Sequence, residues 1–229
     1  MRAPKLFVEW INNNLGFNPR AGKYSDALNL LVFNDLVTAH PPLGLTRALR
    51  PEQNADIATR SATRNVDFVL WGPKGSRQER VPYVAIENKL ILAAHTKARK
   101  NRLGDIVAFA NHVHNADRSA IACGLIGINI SPDYENPDPF AAGMDRPKFE
   151  MEKIVTDTLE IYAKLPQRNS VYEPYDRPEA FAVFVINYNG KGKASLVLEP
   201  PAPPPGHPLH YASLIERVVR HSMQRRRLS

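Results

Sequence analysis

The chain has 229 residues, of which 43% are hydrophobic and 23% charged, a composition typical of a globular domain rather than a disordered chain. No apolar run is long enough to cross a membrane, so no membrane partner is expected. The formal net charge of +7 suits a polyanionic partner such as nucleic acid, and equally suits a basic protein without such a partner.

Two amphipathic segments open the chain. Apolar spacing predicts a short helix within residues 1–20 and a second helix over residues 25–39, stopped by a proline pair. Residues 43–65 fit either a helix or a loop and contain several arginines. A strand is predicted next, at residues 66–71, where Asp67 is the single acid in an otherwise apolar run.

A second predicted strand, at residues 81–92, carries two charges in the middle of an apolar run. Residues 72–80 read as a flexible hairpin-type turn that leads into it. Because alternate side chains of a strand point to opposite faces, Glu87 and Lys89 should share one face. Asn88 should share the other face with the apolar residues of the run.

A polar helix is predicted over residues 95–115, and its first turns contain four cations: Lys97, Arg99, Lys100 and Arg102. Cations at the N-terminal end of a helix are disfavoured by the helix dipole, so their presence here indicates a nearby anion. A basic face exposed to solvent is the alternative. A buried strand at residues 120–130 contains the single cysteine, Cys123. One cysteine cannot form an internal disulfide, and no secretory signal is evident, so we expect a cytoplasmic location.

The remaining chain completes one domain spanning residues 1–229. A helix is predicted at residues 149–165, two strands at 180–188 and 194–198, and a final helix at 209–226. A proline-rich segment, residues 199–208, is expected to form a stiff strap over the surface. The sequence contains no phosphate-cradling glycine loop, so no nucleotide cofactor is expected. Its histidines lack the partners and spacing of a zinc site.

The acids on the two predicted strands suit metal-assisted phosphodiester chemistry. Mg²⁺ prefers oxygen ligands and keeps several waters, so Asp67, Glu87 and the backbone carbonyl of Asn88 are sufficient protein ligands. Mn²⁺ is the alternative ion. Lys89 would lie on the same face as Glu87 and hold the attacking water or the phosphate oxygens. We therefore predict Asp67, Glu87 and Lys89 as the catalytic residues.

Asp67 followed by Glu87-Asn88-Lys89 resembles the D…(D/E)xK signature of the PD-(D/E)xK nuclease superfamily. The resemblance covers residues 25–130 and departs from the family pattern in having Val66 rather than proline before Asp67. It implies an α/β (α+β) fold with a restriction-endonuclease-like core, in which helices flank a mixed sheet of about four to six strands. Residues 131–229 would then be an elaboration for target recognition or dimer contacts.

The resemblance further implies a Mg²⁺-dependent endonuclease that cuts DNA, with duplex favoured, as a homodimer of the type II restriction-enzyme kind. A further acid is expected from the first core helix, with Asp26 and Asp35 as candidates. Phosphate contacts are expected from Lys74 and Arg77 in the turn and from the four cations of the polar helix. Two alternatives stay open: a non-cleaving nucleic-acid-binding protein of the same fold, and a nuclease acting on RNA, single-stranded or damaged DNA.

Overall fold

A computed structural model describes residues 2–14, 22–45, 49–74, 77–135 and 150–225. The helices are α1 (Ala3–Asn13), α2 (Lys23–Ala39), α3 (Pro42–Leu45), α4 (His95–Ala116), α5 (Met151–Ala163) and α6 (Tyr211–Gln224). The strands are β1 (Arg50–Ala58), β2 (Thr63–Lys74), β3 (Arg77–Ile91), β4 (Ile121–Asn129), β5 (Ala180–Asn187) and β6 (Ser195–Val197).

The six strands form one mixed sheet in the order β1-β2-β3-β4-β5-β6. The first three strands are antiparallel neighbours, as expected for strands joined by short turns. β4 and β5 then continue in parallel, with α4 and α5 as the crossover helices, and β6 returns antiparallel at the edge. The chain is therefore an α/β protein in which helices flank a six-stranded mixed sheet.

Helices cover both faces of the sheet. On one face α1, α2 and α6 pack over residues such as Phe68, Ile86 and Leu125. On the other face α4 and α5 pack over a second set that includes Ile126 and Phe181. All nine residues of β4 are buried, because this strand lies inside the sheet and is covered on both sides.

Close packing of α4 on β4 depends on a missing side chain at Gly124. A methyl group there would lie 2.9 Å from both Ile106 on α4 and Phe181 on β5. Gly124 is also the residue of β4 that pairs with Glu87 on β3. The glycine thus allows α4 to lie close to the sheet beside Glu87, which brings the helix next to the candidate site.

Most predicted elements are present, with shifted ends. The helix predicted from residue 25 begins at Lys23, and the strands predicted at 66–71 and 81–92 extend toward each other to Lys74 and Arg77. The segment read as helix or loop, 43–65, instead contains β1 as the edge strand of the sheet. β5, β6 and α6, all beyond residue 131, belong to the same sheet and core as the earlier elements. Among the described helices, none is long and apolar enough to span a bilayer.

His221 on α6 is a buried histidine whose ring nitrogens both lack a hydrogen-bond partner among the described residues. Burial, reinforced by the charge of Arg225, lowers the pKa of His221 from 6.5 to about 4. Between these values the unfolded chain binds a proton that the folded chain does not. This contribution to stability is therefore complete above pH 6.5 and is lost as the pH falls toward 4.

We expect His221→Leu to reduce the loss of stability on acidification. A shift of this size makes the wild-type chain about 2 kcal/mol less stable at pH 5 than at pH 7 on account of His221 alone. Urea unfolding of both proteins at the two pH values measures the difference. Equal losses of stability in the wild-type protein and the variant would contradict the prediction.

Candidate active site

β2 and β3 separate at Asp67, and this separation opens the site. Their ladder runs from the turn to the pair Phe68 and Ile86, one step before Asp67 and Glu87. Beyond it the Asp67 side chain takes the place of a backbone partner, because its Oδ2 accepts the N–H of Asn88 at 2.8 Å. On the other side of β2 the register places Asn54 opposite Asp67, and Asn54 has a left-handed backbone with φ of 50°.

Glu87 and Lys89 point to the same side of β3, as the strand alternation predicts. The Lys89 Nζ lies 2.8 Å from Glu87 Oε1 and 3.6 Å from Asp67 Oδ2, so it bridges the two carboxylates. The Glu87 side chain is only 5% exposed, whereas those of Asp67 and Lys89 are 19% and 23% exposed. The site is therefore a partly open pair of acids with a lysine between them.

Arg64 is a fourth charged member of the site. Its Nη2 donates to Glu87 Oε1 at 3.1 Å and to the backbone carbonyl of Asp105 on α4 at 3.4 Å. The guanidinium carbon lies 6.0 Å from the ring centroid of Phe109, also on α4. From the sequence, Arg64 is one of several arginines in residues 43–65, whose structure the pattern does not decide. In the structure Arg64 lies near the start of β2, three residues before Asp67, because β2 begins at Thr63.

The opposite face of β3 is held by α2 through uncharged polar groups. The Asn88 Nδ2 donates to Asn29 Oδ1 at 2.6 Å, and Ser25 donates to Asn88 Oδ1 at 3.3 Å. Asn29, which is fully buried, also donates to the backbone carbonyl of Asp67 at 3.1 Å. These hydrogen bonds fix the backbone of both acid-bearing strands. They could not be predicted from hydrophobic periodicity, which gives no information on pairs of polar side chains.

The electrostatics of the site disfavour ionised Asp67. Burial raises the pKa of Asp67, the negative charge of Glu87 raises it further, and Lys89 and the Asn88 N–H only partly oppose the shift. The second oxygen of Glu87, Oε2, is buried and has no hydrogen-bond partner among the described residues. A divalent cation between these carboxylates would offset their repulsion and could coordinate the Glu87 Oε2 oxygen.

The donor set fits a hard divalent cation. Within the described residues, no three His, Cys, Asp or Glu side chains converge to hold a metal ion, so the carboxylate ligands would be Asp67 and Glu87 alone. Mg²⁺ accepts such a set because it retains several waters. The N–H and C=O of one strand residue point to the same strand edge, so the Asn88 carbonyl faces the edge where Asn88 meets Asp67. The Asn88 carbonyl therefore stays a candidate backbone ligand.

The two acids proposed from the first core helix have other partners. Asp35 Oδ2 accepts the backbone N–H of Ala3 at 2.8 Å and the hydroxyl of Tyr211 at 3.0 Å. It therefore joins α2 to the start of α1 and to α6 instead of joining the site. Asp26 Oδ1 accepts from Asn54 at 2.9 Å, so this acid binds the edge strand β1.

The cations predicted to bind phosphate differ in their surroundings. Lys97 and Lys100 are exposed at the start of α4, whereas Arg99 and Arg102 are half-buried. Arg102 forms an ion pair of 2.9 Å with Asp105 on the same helix. The side chains of Lys74 and Arg77 lie outside the described part of the structure.

No protein-family model matches this sequence, and no curated protein matches it significantly. The functional assignment therefore depends on the site itself.

Proposed function

We propose that the chain is a Mg²⁺-dependent nuclease that hydrolyses phosphodiester bonds in DNA. One observation carries this proposal: Asp67, Glu87 and Lys89 converge where two strands separate, and one buried carboxylate oxygen of Glu87 has no hydrogen-bond partner in the described part of the chain. A purely structural ion cluster would be expected to satisfy that oxygen, because an unpaired buried carboxylate oxygen is costly.

The arrangement of elements supports a restriction-endonuclease-like core. A helix, α2, packs on an antiparallel pair of strands that carry the acids, and α4 then crosses to a parallel strand, β4. This is the order of elements that the PD-(D/E)xK resemblance implies for residues 25–130. The core proposed here continues the sheet through β5, because β5 pairs with β4 along seven residues.

Each residue of the site has a distinct proposed task. Asp67, Glu87 and the Asn88 carbonyl would hold Mg²⁺, which supplies charge stabilisation at the phosphate and activates a water molecule. Lys89, which the two carboxylates hold at 2.8 and 3.6 Å, donates to the attacking water or to a non-bridging phosphate oxygen. Arg64 keeps Glu87 oriented from the α4 side.

Exposed cations that follow the site along the chain support a nucleic-acid substrate. Lys97 and Lys100 are exposed near the start of α4, directly after the strand that carries Glu87 and Lys89. The formal net charge of the chain is +7. Cations of this kind bind phosphates without reading sequence, and their contribution weakens as salt concentration rises.

Incubation of the purified chain with DNA tests the proposal directly. We expect plasmid or single-stranded DNA to be cut in the presence of Mg²⁺ and to remain intact in EDTA, and RNA in parallel reactions measures the substrate range. Discrete bands from plasmid would indicate a restriction-type target, whereas a smear would indicate cutting without sequence preference. If no metal-dependent cutting of any of the three nucleic acids occurred, the enzyme proposal would be wrong.

A further inference from the structure

A second basic cleft lies at the far end of α4. It is formed by the β1–β2 turn, the end of α4 and the loop that precedes β5, and has a volume of about 660 Å³. The described residues that line it include two arginines and no carboxylate. Its other polar lining comes from hydroxyl, amide and aromatic side chains, among them Thr59, Ser61, Asn115 and Tyr175.

Arg118 in this cleft is held in one orientation. Its Nε donates to the carbonyl of Val171 at 3.0 Å, and its guanidinium carbon lies 5.3 Å from the ring centroid of Tyr172 and 5.9 Å from that of Tyr175. The two terminal nitrogens of Arg118 have no hydrogen-bond partner among the described residues. A guanidinium fixed through Nε and stacked on rings presents its remaining donors as a pre-organised fork for phosphate.

Tyr172 is the most exposed large hydrophobic side chain of the described residues, at 82%. Arg118 covers part of the ring, and the rest of the ring is open to solvent. An exposed aromatic ring beside an arginine is the arrangement on which unpaired nucleobases stack, because every base has a π-face to offer.

The acidic residues of the adjoining loops neutralise little of the positive charge of the cleft. Glu173 is 3.7 Å from Arg177, and Asp117 accepts the N–H and hydroxyl of Ser119. Glu179 is buried among cations. Asp176 is the one acid of these loops without a partner among the described residues. Its single negative charge is therefore outnumbered by the two positive charges of Arg118 and the exposed Arg60.

The cleft and the candidate active site are joined by β2. Arg60 lies in the turn before this strand, which begins at Thr63 and reaches Asp67 four residues later. Four strand residues span about 13 Å. Arg64 lies between the two sites and contacts Glu87. One nucleic-acid strand therefore has a short, cationic route from the cleft to the metal-binding carboxylates.

We propose that this cleft binds an unpaired nucleic-acid strand, with a base stacked on Tyr172 and phosphates held by Arg118 and Arg60. The inference rests on the proposed nuclease function and names its substrate class: a nucleic acid that is single-stranded beside the scissile bond. An intact duplex does not fit this role, because its bases are already stacked on one another and cannot reach the ring.

Fluorescence anisotropy tests the proposal without cleavage. The Lys89→Ala protein in EDTA is titrated with a labelled single-stranded oligonucleotide, with a blunt duplex of the same length, and with polyglutamate as a polyanion without bases. We expect the single strand to bind most tightly. Tyr172→Ala should weaken its binding by about 10-fold, whereas Tyr172→Phe, which keeps the ring, should not.

Further variants separate stacking from charge. Arg118→Ala should lower the slope of log affinity against log salt by about 0.7, the value for one phosphate contact to a single strand. Leu198→Ala, at another exposed apolar position, serves as a matched control and should bind as the parent does. Unchanged binding by Tyr172→Ala would overturn the proposal, as would equal binding of polyglutamate or tighter binding of the duplex. Binding that depends on Tyr172 but is not followed by Mg²⁺-dependent cutting in the wild-type protein would instead refute only the nuclease function.

Discussion

Lys89→Ala is expected to lower the rate of Mg²⁺-dependent DNA cleavage by about 100- to 1,000-fold, the usual loss when one pre-organised donor to a developing charge is removed. Lys89 is suited to this role because two carboxylates fix its ammonium at 2.8 and 3.6 Å and its side chain is still 23% exposed. It can therefore reach a water or phosphate at the mouth of the site without rearranging. Single-turnover cleavage at saturating enzyme measures the chemical step directly.

Two controls distinguish a chemical role from a structural one. Lys5→Ala removes an exposed lysine of α1, on the opposite side of the sheet, and should cut at the wild-type rate. In addition, we expect Ca²⁺ to raise the melting temperatures of Lys89→Ala and of the wild-type protein equally, because both carboxylates remain in the variant. At 100 times the dissociation constant this stabilisation is about 2.7 kcal/mol, or about 5–10 °C for a chain of this size.

The same measurements can show that the proposed location of the active site is wrong. Asp67→Asn removes one of the two proposed carboxylate ligands, so we expect the melting temperature of this variant not to respond to Ca²⁺. In EDTA it should not lower the melting temperature, because burial and Glu87 already raise the pKa of Asp67 and disfavour its ionised form. Cleavage by Lys89→Ala at the wild-type rate, or an unchanged response of Asp67→Asn to Ca²⁺, would show that the chemistry lies elsewhere.

The centre of this site could be predicted from the sequence because it depends on local geometry. Strand alternation alone places Glu87 beside Lys89, and a hairpin between two apolar runs brings Asp67 opposite Glu87. The partners of these residues could not be predicted in the same way. Arg64 joins the site only because β2 begins as early as Thr63. The hairpin between β1 and β2 could not be predicted, because the polar, largely exposed sequence of β1 shows no alternation of apolar and polar residues.

The role of Asp35 shows a second limit of sequence patterns. Its place on α2 made it a candidate metal ligand, yet it accepts hydrogen bonds from the first turn of α1 and from Tyr211 near the end of the chain. Both donors are distant in sequence, with separations of 32 and 176 residues. Periodicity assigns a side chain to a face of its own helix, but the group that meets it there is decided by tertiary packing.

Glu179, just before β5, is the centre of a buried ionic network. Most of its partners are also distant in sequence, so they too could not be predicted from periodicity. Its Oε2 accepts from His114 at 2.9 Å and from the N–H of Ala122 at 2.8 Å. Its Oε1 lies 2.7 Å from Arg225 and 3.3 Å from Arg168. Burial alone would raise the pKa of Glu179, but the hydrogen bond and charge of His114, together with Arg225, hold it below its ordinary value.

Glu179→Ala is therefore expected to reduce the free energy of unfolding by about 3–5 kcal/mol. The fully buried Arg168 guanidinium would lose its only carboxylate within the described residues, and the buried His114 ring would lose its hydrogen-bond partner at 2.9 Å. For a chain of this length the melting temperature should fall by about 10 °C or more. Glu173→Ala removes the surface pair with Arg177 and should cost less than about 1 kcal/mol, which makes it a matched control. Thermal and urea unfolding at pH 7 measure both variants. Equal, small losses would mean that water or rearrangement satisfies the buried cations, and that this network does not hold α4, β5 and α6 together.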